Sequence, residues 1–512
     1  MSTEKNPYKI LGIPEDASAE DIKAVYRKIA RRLHPDVNPN NVAAQSQFQD
    51  VSNAHELLTN SSRKATFDLT LKTKKTDGDY FFTFQVIESK KVVYPLAEPQ
   101  VIYMLADIHP DPRADEIKQR ESNLNLTLVL DQSNSMTGAR IERVKVAAHQ
   151  IIDSLGENDI LSVVVFNDRA EIIIPATRVT DKPALKAKVS LINASGGTEI
   201  FQGLSAGMNQ VKQYLGPKLV NHIILLTDGH TFGDQDKCLE LASKAALDGV
   251  GISAMGLGHD WNDQFLDEIS SRTGGASSFI SSVGTVVKFM NEHVRNLSNS
   301  FAERMLLSVA TDPDVQLESA FKLSPHPQPL SIEGGNIVLG GLPKNRPISV
   351  LLQFQVPGNM PEGQRHFARL IVSGEILANT NAQFYMVRDP LFEITKDTSI
   401  RQEPPTSILD ALSKLTLYRL QERAQDALDK GDINEATRRL ENLATRLIEL
   451  GKTELANEAM TEAKRVKMTH QLSTGGRMTI KYQTRHLLAN ETEVASTSEI
   501  KNATESSLES EK

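Results

Sequence analysis

Apolar and polar positions change period several times along the chain, and each change marks an element. After Ser18, the residues Ile22, Val25, Tyr26, Ile29, Ala30 and Leu33 recur at the spacing of one buried helix face. Ser18 with Asp21 three residues on forms a capping-box pattern, and Glu20 and Asp21 suit the positive end of a helix dipole. Pro35 disfavours helical geometry at His34, so the helix is predicted to stop there and expose His34-Pro35-Asp36 in a turn. A second helix is predicted over 42–59, with Phe48, Val51, Ala54, Leu57 and Leu58 facing back. The result is two antiparallel helices joined by an exposed turn.

Beyond a polar linker at 72–78 the pattern shortens. Segments 80–88 and 100–108 read as strands with no partner in their own stretch, and Pro110, Pro112 and a charged run to Arg120 form a second linker. Further strands are predicted at 346–356, 366–376 and 382–387, so one β-sandwich could take strands from both sides of an intervening domain. Two small β units are the alternative. Between them lies an apolar run, 124–130, ending in Asp131-Gln-Ser133-Asn-Ser135-Met-Thr-Gly138 and followed by a helical stripe from Ile141 to Leu155. Strands at 160–166 and 170–175, paired across Asn167-Asp168, a helix at 182–192, the polar loop Ser195-Gly-Gly-Thr198-Glu199 and a helix at 200–214 follow. Strands at 222–227 and 250–257 and a helix at 260–272 complete the alternation, which implies a doubly wound, mainly parallel α/β sheet. From 406 to 488 the chain is helical again, with apolar periodicity at 407–427, 433–450 and 454–466. A Glu-, Ser- and Thr-rich tail from 489 to 512 is expected to be disordered.

The chain has 512 residues and a net charge of −8, which argues against a general nucleic-acid surface. Its one cysteine, Cys238, excludes an internal disulfide framework and a cysteine-based zinc module. No signal-peptide pattern and no apolar run near the ~20 residues of a membrane span are seen, so a cytoplasmic protein without membrane contact is expected. The basic residues Lys464, Arg465, Lys467, Arg477, Lys481 and Arg485 are read as solvated faces.

Chemistry concentrates in two places. Lys23, Arg27 and Arg31, with Lys28 and Arg32 beside them, form a basic stripe leading to the His-Pro-Asp turn. Tyr8-Lys-Ile-Leu-Gly12, Ala24-Val-Tyr-Arg-Lys-Ile-Ala30, His34-Pro35-Asp36 and Phe48-Gln-Asp-Val51 together resemble a J domain, the DnaJ co-chaperone module, over about the first seventy residues. The resemblance implies that His34, Pro35 and Asp36 trigger a DnaK-type chaperone ATPase, and that Lys23, Arg27, Lys28 and Arg31 dock it. Gln47 stands where that family usually has Lys, and Asn60-Ser-Ser replaces its usual Asp-Pro.

The second place is the carboxyl end of the parallel strands, where open α/β sheets bind ligands. There Asp131, Ser133, Ser135, Thr198 and Asp228 gather, all oxygen donors suited to a hard cation. No phosphate-cradling glycine loop accompanies them. His230 and His259 are read as ordinary polar loop residues. This set resembles the von Willebrand factor type A domain with its metal-ion-dependent adhesion site. The resemblance implies a bound Mg²⁺, with Mn²⁺ or Ca²⁺ as alternatives. Ser133 and Ser135 would coordinate directly, Thr198 directly or through water, and Asp131 and Asp228 mostly through water. It also implies a protein ligand offering a carboxylate.

The expected architecture is a J domain at 1–71, a linker and strands at 72–122, the α/β domain at 123–300, a β-sandwich-like domain at 301–390 and a helical region at 405–488 that could mediate oligomerisation. The expected function is a non-enzymatic adaptor that holds a protein partner and recruits a DnaK-type chaperone. A metal-organised assembly scaffold is the alternative, and a metal-dependent hydrolase fits less well because no Glu or His is clearly placed as a general base.

Overall fold

The computed structural model describes residues 7–14, 17–38, 42–59, 64, 82–111, 123–216, 218–231, 233–377, 383–397, 399–400 and 402–490. The linkers at 72–78 and 112–120, the Asn60-Ser-Ser segment and the tail beyond 490 lie outside them.

The amino-terminal module contains the two predicted helices, Ala19–Leu33 and Val42–Thr59, preceded by a short helix Pro7–Leu11 that the pattern did not single out. Ser18 and Asp21 close both halves of the capping box. Tyr8, Ile22, Ile29, Leu33, Val51, Ala54 and Leu58 form its core, and Ala310 from a distant strand completes one side. That contact seats the module on the β domain. Arg32, placed on the basic stripe by the sequence pattern, instead turns inward and pairs with Asp389 at 2.6 Å. Arg369, fully buried, joins the same carboxylate at 3.6 Å.

The β domain draws on both ends of the chain. Strands β1 (Thr83–Glu88), β2 (Val92–Val93) and β3 (Gln100–His109) precede the α/β domain, and β10 (Ser300–Thr311) through β18 (Phe392–Ile394) follow it. β3 pairs along its whole length with β14 (Ile348–Val356), Gln100 opposite Val356 and Ile108 opposite Ile348. One sheet runs β1-β3-β14-β11-β12, with β11 at Gln316–Ser324 and β12 at Gln328–Leu330. The other runs β13-β10-β16-β17, with β13 at Asn336–Pro343, β16 at Ala368–Ile376 and β17 at Gln383–Arg388. Phe84, Met104, Leu307, Leu339, Phe354 and Leu370 share the core between them. A single β-sandwich results.

The α/β domain carries the six-stranded order β6-β5-β4-β7-β8-β9. Here β4 is Leu124–Asp131, β5 Ile160–Phe166, β6 Ala170–Arg178, β7 Val220–Thr227, β8 Gly251–Leu257 and β9 Ser277–Ile280. Only the β5–β6 pair is antiparallel, being the expected hairpin. Leu124, Leu126, Leu128 and Leu130 face the helices Ala139–Ser154 and Val286–Ser298, while Val129 faces Ile200–Val211 on the other side. On that second face the helix lies close to the sheet because Gly203 and Gly207 leave room. A Cβ on Gly203 would come within 2.6 Å of the Phe166 ring, and one on Gly207 within 2.6 Å of Val129. This approach sets where the loop before the helix must lie.

Four helices, Thr406–Asp429, Ile433–Glu449, Thr453–Thr469 and Thr474–Asn490, close the structure. The first packs Ile408, Ala411, Leu415 and Tyr418 on Leu105, Phe321 and Leu351 of the sandwich. The last inserts Met478 and Tyr482 into the α/β core. Its basic residues are not solvated, contrary to the sequence reading. Arg477 and Lys481 bond Asp263 at 2.5 Å each, and Arg485 bonds Asp267 at 2.6 Å, all five being largely buried. Lys464, Arg465 and Lys467 are exposed as expected. No helix among the described residues is long and apolar enough to cross a membrane.

Candidate functional site

β4 ends by delivering Asp131, whose side chain is fully buried. Its Oδ1 accepts from the Ser133 backbone N–H at 2.7 Å and its Oδ2 from Thr227 Oγ1 at 2.6 Å. Burial pushes the Asp131 carboxyl up to about 6 against the pull of those bonds, and the charge of Asp228 adds to the rise. Ser133 and Ser135 hydroxyls lie 2.9 Å apart, and Ser135 donates to Asp228 Oδ1 at 2.6 Å. Asp228, at the end of β7, is itself 1% exposed. Two buried carboxylates therefore meet at one sheet edge.

The third loop is tied to the first. Asn134 N–H donates to Gly196 O at 3.0 Å, Ser195 N–H to Gln132 O at 2.6 Å and Asn167 Nδ2 to Ser195 O at 2.9 Å. Gly196 sits at φ +81°, a conformation that side chains resist. Thr198 is thereby held against Gly229, its Oγ1 3.4 Å from where a Cβ on that glycine would stand. The helix that follows is fixed by Asp234, which accepts from Phe201 N–H at 2.9 Å. Among the described residues no group of three or more His, Cys, Asp or Glu is placed to hold a metal, so hydroxyls must supply part of any donor set here.

Sequence reasoning missed Arg140. Its guanidinium pairs with Asp228 Oδ2 and also donates to Ser135 O at 3.2 Å. Thr227, which holds Asp131, was missed as well. Its position immediately before Asp228-Gly229 was the available signal. Of the two loop histidines, neither bonds to the set. His259 rests against Gly475 of the last helix, 3.5 Å from its virtual Cβ, which brings the helical domain to the same edge.

On the amino-terminal module, the His34 and Asp36 side chains are 48% and 88% exposed and lie 3.4 Å apart. The Asp36 N–H donates to His34 Nδ1 at 3.3 Å. Lys23, Arg27, Lys28 and Arg31 are all exposed. Buried Asn38, which sequence reasoning did not single out, ties the turn down by donating to Arg32 O at 2.5 Å.

Comparison with known proteins identifies three modules: a DnaJ domain at 6–68, a von Willebrand factor type A domain at 125–292 and the Sll0103-like, C-terminal alpha-helical domain at 406–490. The "Uncharacterized protein sll0103" of Synechocystis sp. is 30% identical over 375 residues, spanning 71% of this chain and 88% of that protein. Chaperone protein DnaJ 2 of the same organism is 43% identical over 68 residues, which are 13% of this chain and 22% of that protein. The chain thus spans about a fifth of that DnaJ protein's length. Among solved structures, a von Willebrand factor type A protein from Catenulispora acidiphila matches with a TM-score of 0.65 at 16% identity, covering 80% of this chain and 98% of that one. The ArnB paralog VWA2 from Sulfolobus acidocaldarius matches at 0.52 and 14% identity, covering 80% and 99%. At these identities the likeness is one of fold.

Proposed function

Because this chain belongs to the family of the Synechocystis protein sll0103 and carries a DnaJ domain beside its von Willebrand factor type A domain, we propose that it is a non-enzymatic co-chaperone adaptor. One domain selects a protein partner, and the other delivers it to a DnaK-type chaperone whose ATPase it stimulates. The observation that carries the reading is the coexistence of two separate polar sites in one chain. The His34-Pro35-Asp36 turn stands exposed on the module that presents four exposed cationic side chains, Lys23, Arg27, Lys28 and Arg31. The buried carboxylates of Asp131 and Asp228 meet at the carboxyl edge of the sheet. A cytoplasmic setting suits a partner of that kind.

The donor set fits a hard divalent cation. Asp131, Ser133, Ser135, Thr198 and Asp228 offer two carboxylates and three hydroxyls with neither sulfur nor imidazole, the preference of Mg²⁺. A bound ion would supply an electrophilic position for a partner's carboxylate. The chain's own residues shape that position: Thr227 and the Ser133 N–H orient Asp131, while Arg140 occupies Asp228 Oδ2 in competition with an ion. Mg²⁺ at a hundredfold excess over its Kd is expected to stabilise the protein by about 2.7 kcal/mol. Thermal melts of Asp131→Ala should show no such response; an equal response would remove the proposed site. Arg140→Ala should tighten Mg²⁺ by about tenfold, since the ion no longer competes with a charge-assisted hydrogen bond of roughly 1.5 kcal/mol.

The adaptor reading is tested by affinity capture with wild type and Asp131→Ala, each in Mg²⁺ and in chelator. A partner retained by wild type in Mg²⁺ and lost in the other three arms is the expected result. Recovery of the same partner in all four arms would remove the ion from recognition, and recovery of the chain itself alone would favour an assembly role.

A further inference from the structure

The α/β domain and the sandwich enclose a groove of about 470 Å³, within the range of roughly 300–1,000 Å³ typical of small-molecule sites. It opens where β7 and β8 begin, at His222 and Gly251, the opposite end of the sheet from Asp131. The two walls touch backbone to backbone. A Cβ on Gly274 would stand 2.2 Å from Gly340 N, and one on Gly340 the same distance from Gly274 O. Gln328 Nε2 donates to Gly275 O at 2.8 Å and the Ser271 and Ser331 hydroxyls lie 2.9 Å apart, so the walls are fixed to each other.

One polar group lining this groove has no hydrogen-bond partner among the described residues, and one buried ammonium has no close carboxylate. His293 is 9% exposed, and its Nε2 is buried without a hydrogen-bond partner. Burial pushes this imidazole down to about 4, which keeps it neutral. The rings of His222 and His326 stand 5.5 and 6.3 Å from it. On the sandwich wall Lys322 is 2% exposed and donates to Leu339 O at 2.7 Å. Among the described residues no carboxylate lies within 4.0 Å of its ammonium, whereas Arg304 and Arg272 in the same groove are already paired with Glu375 and Glu268. The nearest acid is Glu303, seated over Gly341 and accepting from Ser300 Oγ at 2.5 Å. Burial pushes Glu303 up to about 7 and Lys322 down to about 8, so near neutral pH the ammonium persists beside a weakened counter-ion. Buried charges are ordinarily paired, and this ammonium has spare donors facing a cavity.

We propose that the groove binds a small organic anion, its carboxylate or phosphate head held by the Lys322 ammonium and its polar body reaching the unpartnered imidazole of His293. The site is independent of the metal reading, because it lies at the other end of the sheet. A transition metal on the imidazoles is not favoured, since no group of three is placed for one among the described residues. Glu303 is the competing negative charge: its carboxylate repels the head group, and its protonated form can donate to it.

The test uses the full chain in EDTA, with citrate and inorganic phosphate as probes and chloride at matched ionic strength as the control. One of the two probes is expected to raise Tm saturably by about 3 °C or more. Citrate alone would assign a carboxylate head, phosphate alone a phosphate head. The shift should persist in Asp131→Ala and vanish in Lys322→Met. Glu303→Gln, a near-isosteric change that leaves Lys322 in place, should tighten the responding probe by about threefold at pH 7, where the Lys322 ammonium is retained and Glu303 still carries part of its charge. No shift beyond chloride, an undiminished shift in Lys322→Met, or unchanged affinity in Glu303→Gln would each overturn the proposal.

Discussion

Asp267→Ala is expected to destabilise the protein by about 3–5 kcal/mol and to loosen the last helix from the α/β domain. Asp267 takes both terminal nitrogens of Arg485, at 2.8 and 2.6 Å, and lies 2.8 Å from Lys481. Asp263 shares Lys481 and holds Arg477. Two carboxylates thus pair with three cations inside a contact that also buries Met478 and Tyr482. Removing one leaves a buried guanidinium without its counter-ion, and that penalty exceeds the worth of the pair itself. Trp261, the sole tryptophan, reports the event directly, since its ring lies 5.9 Å from that of Tyr482. Denaturation followed by Trp261 emission should show an earlier transition in the variant. A loss under about 1 kcal/mol would mean that the network is offset by its own desolvation. Replacing Asp267, Lys481 and Arg485 together by apolar residues should recover most of the loss.

The same residues set the acid limit. Burial alone would raise Asp267, but Arg485 and Lys481 overcome it and hold the carboxyl well below the usual range. Lys481 and Arg477 do the same for Asp263. In this range the unfolded chain binds more protons than the native one, so this stabilisation is complete above the ordinary carboxylate pKa of about 3.9 and is lost as pH falls below it. His293 acts earlier. Being neutral when buried and ordinary when unfolded, it removes stability as pH falls from about 6.5 to its folded value near 4. Asp131 and Glu303, raised by burial, gain stability over the same fall in pH and oppose His293, so the steep acid loss is expected only below about 3.9, where Asp263 and Asp267 lose their pairs.

His34→Gln should reduce stimulation of a DnaK-type ATPase to the unstimulated rate, a loss of at least about tenfold, while changing stability by no more than about 0.5 kcal/mol. The small stability cost follows from exposure, because the His34 ring makes a 3.3 Å bond from the Asp36 N–H, an exposed 3.4 Å contact to the Asp36 carboxylate and an edge contact to Phe48. The turn itself is held by Asn38, which the substitution leaves intact. Single-turnover ATP hydrolysis with and without the full chain measures the effect. Stimulation equal to wild type would end the chaperone half of the proposal. Charge reversal at Arg27 should weaken the same stimulation most at low salt, as expected of a steered polar encounter.

Legibility in the sequence followed the range of each interaction. The helix Ala19–Leu33 was legible because its cap, stripe and stop, from Ser18 to Pro35, are all written within eighteen positions. The order strand, polar loop, helix placed Asp131, Ser133 and Ser135 together, and the repeats of that order added Thr198 and Asp228. Strands β10 to β13 went unassigned, as did the helices Gln235–Leu247 and Val286–Ser298, whose periods are short or shared between two packed faces. Arg140 was invisible as part of the site, since only helix packing decides that its guanidinium crosses to Asp228.

What the sequence determined by itself, then, is everything carried by local pattern: the helical hairpin with its exposed turn, the alternating α/β core and the chemical identity of the oxygen donors. Tertiary structure alone decided which charges are buried. Arg32, Arg477, Lys481 and Arg485 carry the same polar signature as the exposed Arg27, Lys464 and Lys467, yet they sit against Asp389, Asp263 and Asp267. The physical reason is that a charge in sequence declares its cost of burial but not its counter-ion. Those counter-ions lie more than two hundred residues away and arrive only when the domains pack.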